Sequence, residues 1–70
     1  MPSHDSAEDA VIITAAFAER VKDLFKVFAE SVATGEPERD AVVRVRRGLL
    51  AARRVRDLAL DVAKGADTAS

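Results

Sequence analysis

Cysteine is absent from the 70 residues, and histidine occurs once, at His4. The chain therefore forms no disulfide, and it lacks the ligands of a usual structural zinc site. A protein of this size buries little apolar surface by itself, and such proteins usually add a disulfide, a metal or a partner chain. With the first two excluded, the sequence predicts oligomerisation. No cofactor is expected.

Aromatic residues are also scarce, since the sequence has three phenylalanines and neither tryptophan nor tyrosine. The apolar fraction of 49% is supplied largely by alanine and valine. Charged residues make up 33% of the chain. Beside that apolar content, they indicate a solvated helical surface rather than a disordered chain.

A membrane span requires about 18–20 apolar residues, and no apolar run in the sequence approaches that length. The first ten residues are polar and acidic, whereas a signal peptide has a basic start followed by an apolar segment. From the sequence we therefore expect a cytoplasmic protein without a membrane span.

The strongest break in the pattern lies at residues 34–40, Thr-Gly-Glu-Pro-Glu-Arg-Asp. Gly35 can adopt the left-handed conformation that ends a helix. Pro37 has the φ of a first helical turn, and Glu38 places negative charge there. Apolar-periodic segments of similar length flank the break, so we predict one all-α domain, an antiparallel two-helix hairpin. Its predicted parts are a tail at 1–6, helices at 7–34 and 37–64, a turn at 35–36 and a tail at 65–70.

Apolar residues of the first helix recur at spacings of four and three, the pattern of a bundle seam. They cover about half of the helix surface, which is wider than the roughly 100° stripe that one neighbour requires. We therefore expect two hairpins to pair as a homodimeric four-helix bundle. The predicted core and dimer interface comprises Ile13, Phe17, Val21, Leu24, Phe28, Val45, Leu49, Ala52, Val55 and Ala59.

The inner side of the second helix consists mainly of small residues, which suit close packing against large ones. Gly48 either permits the close approach of a facing phenylalanine or marks a weak point, since glycine costs about 1 kcal/mol relative to alanine in a helix. Gly65 is expected to end this helix. Arg56 falls beside the seam, and three roles are open: a stem packed on the core, an ion pair fixing dimer register, or a ligand contact.

Large aliphatic residues alternate with arginines on the outer side of the second helix. They form either a second protein interface or scattered surface aliphatics, which are common. The candidate partner surface consists of Val43, Arg47, Leu50, Arg54 and Leu58. The expected partners are a second copy of the chain and, through this surface, a larger protein. The sequence indicates no small-molecule substrate.

Charge is unevenly distributed, although the net charge is −1. Residues 38–56 contain seven arginines and two acids, whereas residues 1–37 contain seven acids and three bases. A basic helix is typical of nucleic-acid binding. The alternative is local ion pairing at a spacing of four, between Arg44 and Asp40 and between Arg53 and Asp57.

Catalytic motifs are not evident in the sequence. Ser3, His4 and Asp5 have the residue types of a hydrolytic triad, but consecutive residues cannot direct their side chains into one relay. There is no glycine-rich phosphate loop and no Glu-x-x-His pair. The sequence thus predicts a non-catalytic helical interaction and assembly module, not an enzyme. The alternative function is binding of RNA or DNA by the arginine-rich second helix of a dimer.

Overall fold

Two long helices joined by a short turn form the part of the chain that the computed structural model describes, residues 6–68. Helix α1 spans Ser6–Ala33 and helix α2 spans Glu38–Thr68. The described residues contain no β-strand. The predicted all-α two-helix hairpin is confirmed.

The helix boundaries agree with the prediction to one residue, except at the end of α2. This helix continues through Gly65 to Thr68, so the predicted stop at Gly65 is wrong. Glycine allows a left-handed turn but does not impose one, and inside a helix it only costs about 1 kcal/mol relative to alanine. The predicted tails otherwise fall on residues 1–5 and 69–70, which lie outside the described residues.

Gly35 ends α1 in the way that the sequence predicts. It is the one glycine among the described residues with a positive φ, at 90°. The backbone N–H of Glu36 donates to the carbonyl of Ser31 at 3.1 Å, and that of Gly35 donates to the carbonyl of Val32 at 3.2 Å. These two bonds form the closing motif that satisfies the last carbonyls of a helix and requires a left-handed residue.

Pro37 starts α2 by accepting its first backbone hydrogen bonds. Its carbonyl accepts from the N–H groups of Asp40 and Ala41, both at 3.1 Å. Glu38 and Asp40 lie in the first turn, where the helix dipole stabilises negative charge. The turn chemistry read from the sequence therefore fixes both the end of α1 and the beginning of α2.

We expect Gly35→Ala to lower the free energy of unfolding by about 1–2 kcal/mol, because an L side chain is strained in the left-handed region. The matched control is Gly65→Ala, at a helical position where a Cβ meets nothing within 4 Å. It should be neutral or stabilising by up to about 1 kcal/mol. Urea unfolding followed by helical circular dichroism measures both. Equal effects of the two substitutions would contradict this account of the turn.

The two helices meet along a seam with large side chains on α1 and mostly small ones on α2. Among the described residues, the buried apolar side chains are Ala41, 2% exposed, and Ala63, 8% exposed. The larger seam residues are half-buried. Of the predicted core set, the half-buried members are Ile13, Phe17, Val21, Leu24, Phe28, Val45, Leu49, Ala52 and Ala59.

Val55 lies outside this seam and is 65% exposed. The half-buried positions of α2 run from Ala52 to Arg56 and on to Ala59, so arginine occupies the position expected for valine. One residue turns a helix by about 100°, which directs Val55 to a broad face of the hairpin. Its assignment to the contact between α1 and α2 is therefore wrong. Its place in a dimer interface stays a prediction.

Gly48 lets the two helices approach closely, and the residue that faces it is Leu24 rather than a phenylalanine. A Cβ built on Gly48 would lie 2.6 Å from Leu24 Cδ2. Carbon atoms in contact are normally separated by about 3.5–4.0 Å. A side chain at position 48 would therefore force the end of the Leu24 side chain to shift.

The hairpin is a flat layer measuring 54 × 16 × 10 Å. Each helix packs against one other helix along a single seam, so both broad faces of the layer remain open. A single layer of two helices cannot enclose a core. The exposed large hydrophobic residues are Val11, Ile12, Phe25, Val27, Val32, Val42, Val43, Leu50, Val55, Leu58 and Val62.

Candidate functional site

A groove between α1 and α2 marks one broad face of the hairpin, which we call the rear face. The groove has a volume of about 460 Å³. A second groove, which shares Arg20 and Gly48 with the first, continues it toward the turn. The rear-face residues used below are Ala16, Arg20, Asp23 and Val27 of α1 with Arg44, Gly48, Ala51 and Val55 of α2.

The opposite broad face, which we call the front face, follows from helical geometry. Phe25 precedes Val27 by two positions, a rotation of about 200°, so it projects away from the rear face. It is 68% exposed. On α2, Arg46 lies two positions after Arg44, and Arg53 lies two positions before Val55. Both arginines therefore also project away from the rear face. The front face therefore combines apolar residues of α1 with arginines of α2.

Arg56 crosses the seam and lies over the aromatic ring of Phe17. Its Cζ atom is 4.5 Å from the ring centroid, and its Nε donates to Asp57 Oδ1 at 3.0 Å. The side chain is 31% exposed. Of the three roles considered, the structure shows the first, an aliphatic stem packed at the seam. The guanidinium head has an acidic partner, Asp57, and a cation–π contact with Phe17. The predicted pair of Arg53 with Asp57 is not formed in the described part of the chain, where Asp57 pairs with Arg56 instead.

Arg44 connects α2 to the turn by a two-pronged ion pair with Glu36. The distances are 2.7 Å from Nη2 to Oε1 and 3.0 Å from Nη1 to Oε2. Nη1 also lies 3.4 Å from the hydroxyl of Ser31 at the end of α1. The pKa of Arg44 is raised, first by its hydrogen bond to Glu36 and then by the charge of that carboxylate.

The predicted pairing of Arg44 with Asp40 is therefore wrong. Asp40 contributes only a weaker charge effect on Arg44. The closing motif of α1 fixes Glu36 in the turn, where the carboxylate can meet the guanidinium fork with both oxygens. A prediction restricted to neighbours within one helix could not include this partner.

Arg44→Ala should lower the thermal midpoint more than Lys22→Ala does. Glu36 Oε1 is shielded from solvent and has no well-aligned hydrogen bond, so the guanidinium is its counter-charge. Removing it breaks a charge-assisted, two-pronged pair whose carboxylate side chain is only 24% exposed. The pair of Lys22 and Glu19 is highly exposed, with side chains 74% and 70% accessible, and such pairs contribute little. Thermal unfolding by circular dichroism compares the two variants, and equal midpoints would refute the role given to Arg44.

The other five arginines of α2 are exposed and form no ion pair among the described residues. At about 100° per residue they share an arc of about 120° on the outer and front sides of α2. We call them the basic stripe: Arg39, Arg46, Arg47, Arg53 and Arg54. Arg44 and Arg56 do not belong to the basic stripe because each has an acidic partner. The sequence alone placed all seven arginines in one group.

The candidate partner surface on the outer side of α2 is exposed. Val43, Leu50 and Leu58 are 41%, 57% and 52% accessible, and Arg47 and Arg54 lie between them. The aliphatic positions therefore interleave with the basic stripe. Binding of a larger protein at this surface stays a prediction.

The rear face of α1 is the surface that the sequence prediction missed. Ala16, Arg20, Asp23 and Val27 have spacings of four, three and four, which is a seam pattern. The two charged residues at its centre conceal that pattern in a search for apolar positions alone. A search for spacings of four and three that ignored the polarity of the residues could have found this surface.

No three residues among His, Asp and Glu come together as a metal-binding group in residues 6–68, and no helix in that range is long and apolar enough to cross a membrane. Ser3, His4 and Asp5 lie outside the described residues. Comparison with family models, curated proteins and solved structures found no match to this chain.

Proposed function

We propose that this chain is a non-catalytic, self-assembling helical interaction module whose working unit is a homodimeric four-helix bundle. The observation that supports it is the distribution of apolar side chains. In the described part of the chain, eleven large hydrophobic residues are between 38% and 72% exposed, while the buried apolar side chains are two alanines. A soluble chain normally hides such a surface against a partner.

The exposed area supports the same proposal. The chain exposes 5549 Å², whereas a compact monomer of 7.5 kDa exposes about 4,250 Å². An area above that of a compact monomer is expected for an open layer that has no enclosed core. Pairing of two layers is the simplest way to give this chain an enclosed core.

The concentration dependence of thermal unfolding tests this function. Dilution destabilises a dimer by mass action, and a hundred-fold dilution removes about 2.7 kcal/mol of association free energy. We expect the midpoint to fall by about 10 °C over that range. Circular dichroism in cells of different path length measures it. A midpoint independent of concentration would reject the homodimer.

A second candidate function is binding of a phosphate polymer, RNA or DNA, by the basic stripe. The specific observation is that five unpaired arginines share one arc of α2, extending over about 22 Å at about 1.5 Å per residue. Guanidinium groups match the geometry of phosphate oxygens. The net charge of −1 gives no long-range attraction, so only this local patch could act.

Salt dependence distinguishes this second candidate. About four phosphate contacts on duplex predict a slope of log K against log salt near −3.6. Arg47→Ala and Arg54→Ala should each flatten the slope by about one unit. Lys22→Ala, on α1, is the matched control and should leave it unchanged. Absence of binding to mixed DNA and RNA at low salt would remove this candidate and leave the assembly function untouched.

A further inference from the structure

We infer that two copies pair through their rear faces, around a two-fold axis perpendicular to the helices that passes between Arg20 and Asp23. In this arrangement α1 lies antiparallel on α1 of the partner, and α2 on α2 of the partner. The inference rests on the proposed homodimer and assigns its surface and register. Its occupant is a second copy of this chain.

Charge complementarity is the first argument. Arg20 and Asp23 lie one turn apart on the rear face of α1, beside the groove, and neither has an ion pair among the described residues. An antiparallel α1 sets Arg20 against the partner's Asp23, and Asp23 against the partner's Arg20. One pair of side chains thus supplies two ion pairs, as an isologous interface requires.

Side-chain size on α1 fits the same axis. Val27, 51% exposed, lies as far from the axis as Ala16 does on the other side. The pairing therefore places Val27 against the partner's Ala16, and Ala16 against the partner's Val27. Large side chains opposite small ones are what close packing of two helices needs.

The register on α2 follows from the contacts within one hairpin. Leu24 faces Gly48, and Arg56 lies over Phe17, so the axis passes α2 near Ala51. This places Val55 against the partner's Gly48. Val55 is 65% exposed beside the groove, and Gly48 offers space without a side chain. Both helices therefore give size complementarity around one axis.

The front face is less suited to burial against a second copy. Its α2 side carries Arg46 and Arg53, which have no ion pair in the described part of the chain. The neighbouring Asp57 is already engaged by Arg56. Burying unpaired guanidinium groups is costly. On the rear face, in contrast, Arg44 and Arg56 have acidic partners within the chain.

Charge reversal at the axis tests the register. Arg20→Asp or Asp23→Arg alone sets like charges together twice in each dimer, and we expect the dissociation constant to rise at least about tenfold. The double variant Arg20→Asp/Asp23→Arg restores opposite charges and should recover the wild-type value within about threefold. Sedimentation equilibrium measures all four proteins. A double variant no better than the single ones would overturn the register.

Two glutamate substitutions test the face. Val55→Glu buries a carboxylate in the proposed interface, and we expect the dissociation constant to rise about a hundredfold or more. Phe25→Glu, on the front face, is the matched control and should leave it unchanged. A dimer that resists Val55→Glu but is broken by Phe25→Glu overturns the rear face and keeps the homodimer. A wild-type chain that is monomeric throughout removes the proposed function itself.

Crosslinking gives a readout without a destabilising substitution. Because the native chain has no cysteine, Ala51→Cys introduces one thiol, close to the proposed axis. A short thiol-reactive crosslinker should join two copies of this variant much faster than two copies of Phe25→Cys. Faster crosslinking of Phe25→Cys would overturn the inference even if Val55→Glu proves unfolded.

Discussion

Phe28→Ala is expected to lower the free energy of unfolding by about 3 kcal/mol, whereas Phe25→Ala should change it by less than about 0.5 kcal/mol. The two rings lie three residues apart on α1. Phe28 is half-buried at the seam with α2, and Phe25 is 68% exposed. The expected loss for Phe28 is at the lower end of values for core phenylalanines because its burial is incomplete. Urea unfolding at one fixed protein concentration measures both.

A small domain of this length has a total stability of roughly 4–10 kcal/mol. The Phe28→Ala variant should therefore be partly unfolded in dilute solution, while Phe25→Ala stays helical. The slope of the unfolding free energy against urea concentration should be the same for Phe25→Ala and wild type. This slope depends on the surface that unfolding exposes, and the substitution leaves that surface nearly unchanged. A larger loss at Phe25 than at Phe28 would contradict the observed seam and would place the front face in an interface.

Gly48→Val is the second substitution for which we expect a large effect, a loss of about 2–3 kcal/mol. A Cβ at this position already lies 2.6 Å from Leu24 Cδ2, and valine adds two methyl groups that force Leu24 away. The control is Gly65→Val, where the space is open. There valine should stabilise the helix by a few tenths of a kcal/mol, since it is the better helix former.

A double variant separates steric conflict from backbone effects. If Leu24 is the obstacle, Leu24→Ala/Gly48→Val should lose clearly less stability than the sum of the two single losses. Strict additivity would show that the cost at Gly48 arises elsewhere. The double-mutant cycle uses the same urea unfolding measurement.

The hairpin layout could be predicted because the chemistry of the turn is local. Gly35 and Pro37 act through their own backbone geometry, which is independent of what the rest of the chain does. Gly65 has the same permissive backbone, but the residues Ala-Asp-Thr directly after it include no proline, and α2 continues through them. Glycine therefore predicts a stop only together with the residues around it.

The seam of α2 could be predicted only to within one position. Alanines at several neighbouring positions leave the apolar face poorly defined, so periodicity alone did not separate Val55 from Arg56. The contact of Arg56 with Phe17 decides it, and that contact exists only once the helices have packed. The pair of Arg44 and Glu36 was missed for a related reason, since it joins a helix to a turn.

The wide apolar arc of α1 was visible in the sequence, but its division between two surfaces was not. A helical wheel shows how much of a helix is apolar without showing which half faces the neighbour. The position of α2 resolves this and leaves Phe25 and Val27 on opposite faces of the layer. The position of α2 also shows that Arg20 and Asp23 lie together on the exposed rear face.

Sedimentation equilibrium of the wild-type chain at micromolar concentration tests the central claim most directly. The proposed homodimer predicts a mass twice the 7.5 kDa of one chain under conditions where circular dichroism shows full helicity. Dilution should reduce that mass and the helicity together, because assembly supplies the core that one layer lacks. A fully helical chain that sediments as a single copy at every concentration would contradict the account.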